Sequence, residues 1–148
     1  MNAKLEGVRA MKAAIAREKK AHERALGGAL YQEGVAIISE SQKIVPHEYG
    51  PLENSAYVAP PEKRLGRIQV EIGYGKAYAL RQHEELTWRH RDGRQAKYLE
   101  KPFNAASQGW ASRLAKRVRA LKKSGGGFGV SPIAKGPDAD SGSSEKKR

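Results

Sequence analysis

With 148 residues, of which 39% are hydrophobic and 30% charged, the chain has material for one domain with a modest core rather than two. It contains no cysteine, which excludes disulfides and thiolate metal sites, and no run approaches the ~20 apolar residues of a membrane helix. Lys and Arg number 28 against 16 Asp and Glu, a formal charge of +12. Charges also punctuate the first twenty residues, so no signal-peptide core is predicted, and the expectation is a soluble product of a reducing cytosol.

The elements read as follows in chain order. From about residue 3 to 43 the spacing of Leu5, Val8, Met11 and Ile15, and then of Leu26, Leu30, Ile37 and Ile38, predicts helix. Gly27-Gly28 costs roughly 1 kcal/mol per Gly relative to Ala, which predicts a break there and two helices. Pro46 ends the helical region, and residues 47–51 read as a turn. Residues 55–58 predict a short strand, interrupted at Pro60-Pro61. Residues 67–74 alternate with period two and predict the clearest strand, with Ile68, Val70 and Ile72 on one face. Arg67, Gln69, Glu71 and Gly73 fall on the outward face. Residues 78–84 read as a second strand or a short helix, which periodicity alone leaves open, and 85–95 read as an exposed loop.

From about residue 97 to 123 the helical period returns. Phe103, Ala106, Trp110, Leu114, Val118 and Leu121 project to one side, with Trp110 as the expected core aromatic. Arg113, Lys116, Arg119, Lys122 and Lys123 fall on the other side, with Arg117 at the border. Pro102 suits the first turn of that helix. These six basic residues meet no acid between 104 and 123, so half of the formal charge sits on one segment. Residues 124–148 are rich in Gly, Ser and Lys and predict a disordered basic tail, so the folding domain is expected over 1–123. The predicted class is α+β: N-terminal helices, a small antiparallel sheet and a C-terminal amphipathic helix.

Two segments carry a resemblance. Ile44-Val45-Pro46-His47-Glu48-Tyr49-Gly50-Pro51-Leu52-Glu53-Asn54-Ser55 is similar to a pattern that follows the N-terminal helices in the tail-completion, or head–tail joining, family of tailed bacteriophages. Pro46, Gly50, Leu52 and Ser55 match at the family's spacings. His47, Glu48, Tyr49 and Glu53 depart from its usual residues. The second segment is Ile72-Gly73-Tyr74, then Tyr78-Ala79, His83-Glu84 and Lys97-Tyr98-Leu99-Glu100-Lys101-Pro102. It resembles the family element that leads into the last helix, with Gly73, Tyr78, Ala79, His83, Glu84, Leu99, Glu100 and Pro102 at matching positions. Together the segments span about residues 10–121. The resemblance implies a structural protein of the virion, made in the host cytoplasm and placed in the neck. Its implied partners are the connector, the tail terminator or the tail tube, with a homo-oligomeric ring or array.

The residues themselves suggest architecture more than chemistry. Pro46, Gly50 and Leu52 read as a helix-to-strand turn pinned to the core. No nucleophile elbow, dinucleotide fingerprint or phosphate loop appears, so neither an enzyme nor a cofactor is expected. His83, Glu84, Glu85 and His90 invite a metal reading, but on a strand His83 and Glu84 would point to opposite faces, so no metal is expected. Trp88, between Thr87 and Arg89, with Arg91 close by, reads as an interface anchor or a base-stacking platform. Arg113, Lys116 and Arg119 are the other interface candidates. Membrane binding is not expected. The alternative function is nucleic-acid binding through the basic C-terminal helix, with non-specific DNA contact.

Overall fold

The computed structural model describes residues 7–46, 52–86 and 94–125. The order is α1 (Val8–Gln42), a 3-10 turn (Glu53–Ser55), β1 (Ala56–Val58), β2 (Glu62–Arg64), β3 (Arg67–Gln69), β4 (Ile72–Tyr74), α2 (Ala79–Glu84), α3 (Glu100–Ser107) and α4 (Trp110–Lys123). This is the expected α+β class. The turn at 47–51 with Gly50, the segment 87–93 with Trp88, Arg89 and Arg91, and the tail beyond 125 lie outside the described residues.

Helix α1 runs unbroken through Gly27-Gly28 for 35 residues, contrary to the predicted break. The reason is packing. A Cβ on Gly27 would lie 3.0 Å from Pro61 Cβ, and one on Gly34 would lie 2.9 Å from Ile72 Cγ2 and 3.2 Å from Val58 Cγ1. Gly27, Tyr31, Gly34 and Ile38 are spaced along one face, so small residues let the strands sit directly on the helix backbone. That contact offsets a propensity cost of ~1 kcal/mol per glycine. Gly34→Val should therefore lower stability by about 1–3 kcal/mol through overpacking. Unchanged or higher stability in urea denaturation would contradict the close approach.

The predicted strand 67–74 is two strands in two antiparallel ribbons. β3 pairs with β2 (Arg64↔Arg67), and β4 pairs with β1 (Val58↔Ile72). Leu65 and Gly66, with φ of 48° and 77°, form the two-residue turn between β2 and β3. Local alternation is blind to this change of partner. Ile68, Val70 and Ile72 nevertheless line one cleft beside Gly34, so the apolar face survives the split. Arg67, Gln69 and Glu71 are exposed as expected. Gly73 is not; it is buried, with the Tyr57 ring over it.

Residues 79–84 settle as helix α2. The predicted single C-terminal helix is α3 and α4, separated at Gln108-Gly109, where Gly109 takes φ 68°. Left-handed backbone of this kind ends one helix and starts the next at an angle. Pro102 sits in the first turn of α3. Leu114 and Leu121 pack beside Val118, against Ala25, Leu26 and Ala29, so α4 covers α1 on the side away from the strands. α1 is thus packed on both sides along its second half, and its apolar residues divide between two faces.

Trp110 is only half-buried, and it meets the 42%-exposed Phe103 edge-on at 6.0 Å. The expected role of core aromatic belongs to Tyr98, which is 1% exposed. Tyr98 precedes Phe103, the first residue of the apolar stripe, so no periodicity points to it.

Candidate interaction surfaces

Residues of the two sequence segments gather where α1 ends, apart from Gly73, which lies under Tyr57, and Pro102, which lines the cleft between α1 and α3. Val45, Leu52, Ala79 and Tyr98 form one buried cluster, with Ile44, Tyr74 and Leu99 packed against it. Pro46 is buried beside it. Ser55 Oγ donates to the Leu52 carbonyl at 2.7 Å and tightens the turn that carries Leu52 inward. Tyr98 donates its hydroxyl to the Ala79 carbonyl at 2.8 Å, tying the start of α2 to the approach to α3. The Tyr98 ring meets Tyr74 and His83 edge-on at 5.1 and 5.0 Å. Burial pushes the Tyr74 hydroxyl up to about 12, with the hydrogen bond to Ser41 acting against it.

Around this cluster runs a belt of polar contacts. His83 Nε2 accepts from the Glu100 amide at 3.3 Å, which leaves Nδ1 as the donor to Glu84 Oε1 at 2.8 Å. Lys97 bridges Glu84 and Glu100 at 2.6 and 3.0 Å. Lys97 first and His83 second hold the Glu84 carboxyl below the usual range, and Glu84 and Glu100 raise the Lys97 ammonium. Arg94 Nη1 donates to the Gln42 and Val45 carbonyls at 2.8 and 3.1 Å, capping the end of α1. With both ring nitrogens of His83 engaged, this arrangement braces a surface and leaves no free base there. Among the described residues, no three metal-ligating side chains stand together. Tyr78 is 42% exposed beside the cluster, and Leu80 and Leu86 are 72% and 71% exposed, so an apolar edge surrounds α2.

The basic side of α4 differs from the expected one. Arg113 does not share an outward face with Lys116 and Arg119; it turns inward to Glu33 of α1, whose side chain is 4% exposed. Arg113 Nε donates to Glu33 Oε1 at 2.8 Å, and its two terminal nitrogens donate to the Gln108 and Ala106 carbonyls. Arg117 approaches Glu33 Oε2 at 3.1 Å and donates to Gln32 Oε1. Its angle to Oε2 is poor, so that oxygen stays without a hydrogen bond. Lys122 is likewise engaged, with Glu18. Glu33 was the residue missed by sequence reading. Its only signal is a lone acid within the apolar run Leu26, Leu30, Ile37.

Lys116 and Arg119 remain exposed, in a row with Lys123 at i, i+3 and i+7. Between α1 and α3 lies an open cleft of about 570 Å³, floored by Ile37, Ile44, Pro102 and Ala105. Val8, Met11 and Ile15 are 50%, 59% and 59% exposed, so the apolar stripe continues along α1 past the part that α4 covers. Compared with known proteins, the chain matches no family model, no curated protein and no solved structure.

Proposed function

We propose that the chain is a structural subunit of a tailed-phage virion, acting in the neck where tail completion joins head to tail. One observation carries this reading. Residues of the two resembling segments, as far apart in sequence as Val45 and Tyr98, meet in a single buried cluster and its polar belt. Spacing that recurs because distant residues must meet is a packing constraint rather than a chance of composition. What the cluster supports is a rigid brace at one end of α1, with Tyr78, Leu80 and Leu86 around it for neighbouring subunits.

A small polar domain with exposed apolar residues at separate places suits a subunit that gains stability on assembly. The ring or array implied by the resemblance would bury these edges against other copies or against connector and tail proteins. Lys116, Arg119 and Lys123 offer a basic rim to an acidic neighbour.

Replacing those three by Ala removes no ion pair among the described residues, so the domain should fold normally. Phage carrying the triple substitution should yield DNA-filled heads and separate tails, counted by negative-stain electron microscopy. Full yields of joined particles would remove this face from the contact. Arg113 has no place in such a set, because its loss would disturb Glu33 in the same experiment.

A further inference from the structure

We propose that the first turns of α1 form a binding face for the phosphate backbone of duplex DNA, carried by Arg9, Lys12, Arg17, Lys19, Lys20 and Arg24. At 100° per residue these six side chains fall within an arc of about 160°. All six are exposed, and none has a hydrogen bond or ion pair with any described residue. The described acids of the same stretch, Glu18 and Glu23, are engaged by Lys122 and Lys63. Their carboxyls are held below the usual range chiefly by those lysines. Among the described residues the one acid that acts on these bases is Glu23, one turn from Lys19, and Lys63 already binds it.

The contrast with α4 is instructive. Of its six bases, Arg113, Arg117 and Lys122 are already bound to acids of α1. The cationic surface that remains free is therefore larger on α1 than on the helix whose sequence is more basic. Residues 8–20 are exposed on every side, a free rod of about 20 Å. A helix, about 10–12 Å across with its side chains, enters a major groove about 12 Å wide. Between these bases the arc holds Ala13, Ala16 and Glu23, the last engaged by Lys63, and no Asn or Gln to pair with adenine. Such a surface binds phosphates without reading sequence.

Other anionic partners fit less well. A bilayer would have to meet the apolar stripe of Val8, Met11 and Ile15. That stripe is short, because farther along the same face Ala25 and Ala29 are covered by α4, and the six bases lie off it on another side of the helix. A second copy offers a smaller acidic surface: Glu18, Glu23, Glu33, Glu40, Glu84 and Glu100 are each paired with a base of their own chain, which leaves Glu62 and Glu71 as the exposed described acids without a base. A long polyanion with regularly spaced charge fits the row best.

This inference stands apart from the neck reading: DNA binding by the purified protein is measured without any particle. The test is fluorescence anisotropy of the full chain with a labelled random-sequence 24-bp duplex, titrated across NaCl concentrations. Four to six phosphate contacts predict a slope of log K against log salt of about −4 to −5. Replacing Lys12, Lys19 and Lys20 by Gln should reduce that slope by about 2.7, at an unchanged melting temperature. The same change at Lys116, Arg119 and Lys123 should leave the slope within error of the parent.

Any of three results would overturn the proposal. The first is a slope shallower than about −2 for the parent chain. The second is loss of slope only in the α4 variant. The third is binding to phosphatidylglycerol vesicles that is tighter than to DNA and abolished by Met11→Ser with Ile15→Ser.

Discussion

Tyr98→Ala is expected to cost about 3–5 kcal/mol, the largest single-residue effect in the domain and enough to prevent soluble accumulation of a marginally stable fold. The ring is 1% exposed and sits among Val45, Leu52 and Ala79, so truncation leaves a cavity bordered by three separate chain segments. It also removes the hydrogen bond to the Ala79 carbonyl and the edge-on contacts to Tyr74 and His83. Tyr98→Phe keeps the ring and loses only the hydroxyl, so it should cost about 1–2 kcal/mol. Trp110→Ala should cost less than Tyr98→Ala, because the indole is only half-buried and its Nε1 makes no hydrogen bond. Thermal or urea melts that ranked Trp110 above Tyr98 would contradict this assignment of the core.

Arg113→Ala comes next, at about 2 kcal/mol, short of the ~3–5 for a fully buried pair. The discount has two sources: the Arg113 side chain is 41% exposed, and Arg117 stays near Glu33 after the change. The penalty arises from the carboxylate left behind in a buried position, not from the worth of the pair itself. Glu33→Leu together with Arg113→Leu should accordingly lie closer to the parent than Arg113→Ala does. A double substitution as damaging as the sum of its parts would show that Glu33 and Arg113 act independently.

These two residues mark where sequence reading succeeds and where it stops. The apolar spacing of α1, the stripe Leu114, Val118, Leu121 and the shared face of Ile68, Val70 and Ile72 are periodic, and the structure uses them as expected. Periodicity is a local signal, and the errors fall where a non-local partner decides. Gly27-Gly28 reads as a helix breaker until Pro61 and Ile68, which close on the place a Gly27 side chain would take, are in position. The strand 67–74 divides because its two halves pair with different strands. Arg113 reads as one of the outward bases of a lone helix, yet a buried acid 80 residues earlier draws it inward. On the candidate surfaces, Lys116 and Arg119 are exposed as expected, while the free charge of α1 shows only once the neighbours of Glu18 and Glu23 are known. Trp88, Arg89 and Arg91 lie outside the described residues.

The measurement that tests the proposed neck role most directly is deletion of the gene from the genome that encodes it, with lysates examined by electron microscopy and the protein resupplied from a plasmid. The account predicts DNA-filled heads and free tails in the deletion, joined particles on resupply, and the protein itself in purified virions. Infectious particles at normal yield without the gene, or heads left empty because packaging failed, would contradict it.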